Sequence, residues 1–183
     1  TDDDLDAIKK TKGIDDAMGM AFTMGVVSYK DEIKYMMVYS MPTDESRKIM
    51  EEISGFDLDE GRTFKRDDKY KVMLGNYFVQ KGKIFDKEIH TGKTILINDV
   101  EFDVIGIYEP IGNAADDSNV IIPSDTFREV FDSGDEIGAV FARTIPGVNP
   151  EEVADDVEEN LRKLHDIEEG NEHFFVQTST EMM

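Results

Sequence analysis

Apolar residues occupy alternate positions through much of the first forty residues. Met18, Met20, Phe22, Met24 and Val26 fall on every second position of 17–28, and side chains of an extended chain point to opposite faces in turn. The pattern predicts one long strand over 17–28, a hairpin connection at 29–32 and a partner strand over 33–41. Pro42 and Thr43 stop that strand, and Thr43 is a candidate cap for a helix over 44–53 with Ile49, Met50 and Ile53 on one face. Before the first strand, residues 5–12 carry a short helical pattern. Three acids precede it at the positive end of the helix dipole, and Gly13 follows it.

The middle of the chain reads as shorter elements. Strands are predicted over 71–74, 94–97, 101–108 and 119–122, and a short helix over 75–81. Asn98-Asp99 suits the tight turn between the second and third strands, because both residues tolerate positive φ. Residues 109–118 are polar and glycine-containing, which predicts a mobile loop. A short helix over 125–131 would take Ser124 as its cap. Strand alternation returns over 137–143. Asn149-Pro150-Glu151-Glu152 then combines a capping side chain, proline at the first helical position and acids in the first turn. Val153, Val157, Leu161 and Leu164 line one face of that helix. A last strand is predicted over 173–177, and Ser179 is placed to cap a further helix.

Composition narrows the function. The 183 residues carry 41 Asp and Glu against 20 Lys and Arg, a formal charge of −21. Such a surface repels nucleic acid and anionic lipid. Hydrophobic residues make up 39%, enough for a packed core rather than a disordered acidic tail. The longest nearly apolar stretch, 18–27, falls short of the roughly 18–20 residues of a membrane helix. No signal-peptide pattern opens the chain. The Thr1 start and the end at Met183 suggest a soluble piece of a larger protein. Cysteine is absent, so stability has to come from packing.

Candidate chemistry is sparse. His90, His165 and His173 show no helical i, i+4 metal spacing. Asp57, Asp59 and Asp68 mimic positions 1, 3 and 12 of a calcium loop, but the turn position holds Arg62 and the last ligand is not Glu. The stretch 59–62 reads instead as a turn delivering Arg62 to an acidic partner and Phe64 to a core. Gly92-Lys93-Thr94 resembles the end of a phosphate loop, yet Glu88 stands where a glycine is needed and a strand follows. No catalytic, cofactor-binding or metal-ligating residue is assigned. Met18, Met20, Met24, Met36, Met37 and Met41 on the paired strands are core packing or, where they face outward, a surface for greasy cargo.

An ordered series of motifs supplies more than any single residue. It runs Leu58-Asp59-Glu60-Gly61-Arg62-Thr63-Phe64, Val72-Met73-Leu74-Gly75, Gly92-Lys93-Thr94-Ile95, Phe102-Asp103-Val104-Ile105-Gly106-Ile107-Tyr108 and Val120-Ile121-Ile122-Pro123-Ser124-Asp125-Thr126-Phe127. In this order and spacing it resembles the extracytoplasmic domain of ABC-transporter permeases of the MacB/FtsX/LolC type.

The resemblance implies an α+β fold of two lobes. A discontinuous porter-like α/β subdomain would comprise 1–68 and 136–183, and a small β-rich, Sabre-like insert would comprise 69–135. It implies a non-catalytic domain outside the cell membrane, without cofactor, that couples ATP-driven motion of membrane helices to export, to extraction of a substrate, or to an extracellular partner. The implied partners are a second copy of the permease, a cytoplasmic ATPase subunit or domain, and an extracellular partner protein or a lipid-like or peptide cargo. Pairing would come from the membrane helices, and like charge would keep the isolated domain monomeric. Residues 5–12 and 179–183 would lie together at one pole, with the 109–118 loop away from it. Two other classes fit the composition. A free-standing extracellular ligand-binding or adaptor module is one. A hydrolase using paired Asp and Glu is the other, and it would need two carboxyl groups converging in a cleft.

Overall fold

The computed structural model describes residues 1–54 and 57–180. The described elements run in the order α1 (Asp2–Lys9), β1 (Ile14–Met20), β2 (Phe22–Tyr29), β3 (Glu32–Met41), α2 (Lys48–Ser54), β4 (Leu58–Gly61), β5 (Lys71–Leu74), β6 (Thr94–Ile97), β7 (Val100–Tyr108), β8 (Val120–Pro123), α3 (Ser124–Phe131), β9 (Ala139–Thr144) and α4 (Pro150–His165). Mixed helices and strands make the fold α+β, as the motif series implies. Short 3-10 turns sit at Glu45–Arg47, Asn76–Val79 and Asp116–Ser118.

Seven strands form one sheet in the order β4-β7-β5-β8-β3-β2-β6, and a further β6–β7 pairing closes six of them into a ring. The closure needs β7 to be long. Val100–Asp103 pairs with β6 and Gly106–Tyr108 with β4, both antiparallel, while its other edge runs parallel to β5. Inward-facing Val27, Val38, Val72, Leu74, Ile97, Phe102, Val104 and Ile122 are all fully buried, so the ring is a packed core rather than a pore. Phe127 of α3 plugs one end of it and is 1% exposed. At the β6–β7 turn Asn98 and Asp99 take φ of 48° and 64°, the two positive values of a type I′ hairpin.

A second layer joins the two ends of the chain. β1 and β9 make a two-stranded antiparallel sheet, and α1 packs beside α4 over it. Its core is Ile8, Ala17, Val153, Val157 and Leu161, with Leu5, Phe174 and Val176 against it.

β2, β3 and β4 lie in the same sheet as β5 to β8, so the ring takes strands from both sides of residue 69. Residues 17–28 are not one strand, because the chain changes sheets at Ala21. Met20 accepts a backbone hydrogen bond from Gly138, whereas Ala21 accepts one from Ser40 and donates to the Ser40 hydroxyl at 2.8 Å. Other boundaries shift for local reasons. Asp44 rather than Thr43 caps the turn into α2, its Oδ1 accepting from the Ser46 N–H at 2.9 Å. Pro123 occupies the cap position of α3, and Ser124 is already helical. Residues 173–177 pair with no strand among the described residues, and Leu164 faces outward. The loop 109–118 is tied down: Asp117 is buried and accepts from the N–H groups of Ile111 at 2.7 Å and Gly112 at 3.1 Å. The helix expected after Ser179 falls largely on 181–183, outside the described residues.

Candidate functional site

Two regions gather what chemistry the surface has: the tied ends of the chain, and the junction where the terminal layer meets the ring.

At the ends, Thr1 caps α1 and Asp4 answers it in a capping box. The Asp4 carboxylate also meets His165 Nε2 at 2.6 Å, and the His165 ring stands edge-on to His173, 4.8 Å between centroids. The first turn of α1, the last turn of α4 and the returning C-terminal segment therefore touch through three side chains. Arg162 secures the return by pairing with Glu172 at 2.9 Å. Burial works to raise the Asp4 pKa, but hydrogen bonds from the terminal ammonium, the Thr1 hydroxyl and His165 hold it at about 2. Leu5, Ala7 and Ile8 of α1 and Phe174 and Val176 of the C-terminal segment share one apolar cluster.

At the junction, Asp2 at the start of α1 pairs bidentately with Arg128 of α3, at 2.8 and 2.5 Å. This is a terminal-layer to ring contact beside a cleft of about 450 Å³. Phe22, Phe127, Phe131, Ser133, Glu136, Ile137 and Gly138 line that cleft. The Phe22 ring lies on Gly138 so closely that a Cβ there would meet ring carbon Cε1 at 2.4 Å.

The outer face of the β2–β3 hairpin meets the same cleft at Phe22. Cross-strand partners Phe22–Tyr39, Met24–Met37, Val26–Tyr35 and Ser28–Ile33 share that face. Met24 is 57% exposed and Tyr35 77%. Met18, Met36 and Met41 are buried, so the methionine-rich strands serve core and surface at once.

The other sequence candidates are dispersed. Arg62 does meet an acidic partner, Asp68, at 2.7 and 3.2 Å, and Phe64 does enter a core. The segment delivering them is β4, however, rather than a turn. Asp68 is thereby taken up by Arg62, and His, Asp and Glu form no group of three placed for a metal ion among the described residues. Gly92 makes a turn into β6 held by backbone bonds to Val104 on both sides of Lys93. Every carboxylate whose ionisation is displaced among the described residues is held low by a partner. A general-acid carboxyl would instead be raised. The Asp4–His165 contact spans 161 positions, and no sequence signal pointed to it.

His90 clamps β4 to the turn before β6. Its Nδ1 lies 2.5 Å from Glu60, whose other oxygen accepts from the Thr91 N–H at 3.1 Å. The hydrogen bond to Glu60 raises the His90 pKa, with Glu88 adding to it against burial. Burial works to raise Glu60, but His90 and Thr91 hold it low. The His90 share of stability is thus complete below its ordinary value, near 6.5, and is lost as pH rises through the raised folded value. The Glu60 share is present above its ordinary value and is lost as pH falls through the depressed one. A His90→Ala variant should accordingly lose most stability in mildly acidic solution and progressively less as pH rises through the raised folded value. Urea midpoints of both proteins across pH check this, and an equal loss at every pH would contradict it.

This arrangement is a ring with a terminal layer that gathers α1, α4 and residues 174–176. The MacB-like periplasmic core domain family matches residues 1–160, and the chain belongs to it: it is an extracytoplasmic domain of an ABC-transporter permease. An uncharacterised ABC transporter permease of Methanocaldococcus jannaschii is 29% identical over 182 residues, covering 100% of this chain and 44% of the relative, so the chain spans less than half of that protein. The periplasmic region of MacB from Actinobacillus actinomycetemcomitans has the same fold, with TM-score 0.78 at 21% identity, over 98% of this chain and 79% of that one. The extracellular domain of the noncanonic ABC-type transporter YknZ from Gram-positive bacteria superimposes with TM-score 0.76 at 18% identity, over 97% and 89%. No helix among the described residues is long and apolar enough to cross a membrane.

Proposed function

We propose that this domain is a non-catalytic coupling element, which carries motion of membrane helices to a cargo or partner outside the membrane. The observation behind the reading is the meeting of α1, α4 and residues 174–176 in one layer. A pull or twist arriving through α1 and through the 173–180 segment enters the same packed cluster of Ile8, Val157, Leu161 and Phe174. From there it reaches the ring through the Asp2–Arg128 pair and the covalent passage from β1 to β2 at Ala21. Packed layers transmit such displacement because interiors are dense and resist compression. In the assembled transporter the chain would work beside a second permease copy and a cytoplasmic ATPase. The division into a porter-like part, 1–68 and 136–183, and a Sabre-like insert, 69–135, stays part of this reading, with the layer of α1, β1, β9 and α4 as the moving base.

A coupling element leaves nucleotide chemistry to the ATPase. The 183-residue chain should show no ATP hydrolysis and no calorimetric binding of ATP. A stoichiometric complex of micromolar affinity would overturn the non-catalytic reading.

A further inference from the structure

The first half of β2 is an open, apolar strand edge. Val26 donates its N–H to Asn98 Oδ1 and accepts from the Asn98 N–H, both at 2.9 Å. Since backbone groups alternate along an antiparallel strand, those of Phe22 and Met24 also face away from β3. β6 pairs only with Val27 and Ser28, so among the described residues no strand reaches the N–H and C=O groups of Phe22 and Met24. Proteins usually blunt such an edge with proline, charge or a bulge. Here β2 pairs with β3 in unbroken register over Phe22–Tyr29, and Phe22 to Val27 includes no proline and no charged residue.

The groups around the edge define what would suit it. The exposed side chains of Phe22, Met24 and Met37 offer an apolar ladder, and the cleft beside them has Phe127 and Phe131 in its wall. Asp132 and Glu136 stand at the cleft end, while Lys30 and Lys34 flank the hairpin tip beside Asp31 and Glu32.

We propose that β2 is a strand-addition site for an extended apolar peptide segment with a basic residue at its cleft end. Unpaired backbone groups call for another backbone, which a lipid chain cannot supply. The acids at the cleft end favour a cation on the incoming segment. A second copy of this chain would instead bring its own Asp132 and Glu136 and its −21 charge. The proposal rests on the reading of the domain as the part that meets cargo or partner. It adds the location and the chemical class.

The test is an amide NMR titration of the labelled chain with a short synthetic peptide of alternating valine and threonine ending in two lysines. Amide shifts should centre on 22–26 and 131–138. Methylating alternate peptide nitrogens, or exchanging the lysines for glutamates, should weaken binding by about tenfold or more. Met24→Lys, which places a charge on an exposed edge position, should do the same. Ile145→Asp, at another exposed position, should leave binding unchanged. Shifts elsewhere, no shift at millimolar peptide, or equal binding of the methylated peptide would overturn the proposal. So would concentration-dependent self-association of the chain through this edge that Met24→Lys abolishes. The methylated-peptide comparison keeps the test decisive if Met24→Lys fails to fold. Failure here would leave the coupling reading standing, because ATP-dependent motion tests that reading separately.

Discussion

Replacing Phe64 with alanine should cost about 3–5 kcal/mol of folding stability, the range for truncating a buried aromatic in a core. Phe64 is 1% exposed and packs with Met41, Met73, Tyr108 and Ile121 in a cluster distinct from the main barrel core. The site cannot collapse easily. Arg62, two residues earlier, is fixed by its N–H bond to the Ile105 carbonyl at 2.9 Å and by the Asp68 pair. The backbone entering and leaving Phe64 is therefore held while the ring is removed, and the cavity persists. Urea unfolding of wild type and variant measures the difference. A loss below about 1 kcal/mol would mean the cluster repacks, against the account of a rigid body.

The second large effect falls on Gly61. It ends β4 with φ of +79°, and a Cβ there would lie 2.0 Å from the Ile105 carbonyl oxygen. Gly61→Val meets two penalties at once: a left-handed backbone for a branched residue, and a clash with backbone of β7 that no side-chain rotation relieves. The expected loss exceeds about 3 kcal/mol, with β4 released from β7 and the Glu60–His90 clamp lost with it. Little soluble protein, or a urea midpoint far below wild type, is the predicted result. A variant within about 1 kcal/mol of wild type would show that β4 contributes nothing to the ring.

These two residues also explain why the motif series could be read. Three of its four glycines sit where backbones touch: besides Gly61, Cβ atoms on Gly75 and Gly106 would meet the carbonyl oxygens of Asp117 and Arg62 at 2.4 and 2.6 Å, whereas Gly92 stands in open space at φ +80°. Side chains at those three are forbidden by the fold itself, so spacing between such glycines carries fold information. Turn chemistry was legible for the same local reason, at Asn98-Asp99 and at the Asn149-Pro150 helix start.

What escaped the sequence is long-range. Alternation through 17–28 says which side chains share a face, but not which sheet each half joins or which face meets water. The change of sheet at Ala21 depends on Ser40 and Gly138, and periodicity runs through it unmarked. The loop 109–118 looked mobile because its composition is polar, yet one buried carboxylate, Asp117, organises it. The open edge of β2 exists because β6 is too short to cover it, a fact of length and pairing rather than of residue type.

The central claim is that ATP-driven motion reaches this domain as rigid-body displacement. The chain lacks cysteine, so this domain adds none of its own when single cysteines at exposed Asp156 of α4 and exposed Lys81, between β5 and β6, carry spin labels. Double electron–electron resonance on the complete permease with its ATPase then gives two distances. The separation between Asp156 labels on paired copies should change by about 5 Å or more between nucleotide-free and ATP-bound states, while the Asp156–Lys81 separation within one copy should stay fixed. Inter-copy distances identical in the two states would contradict coupling through this domain.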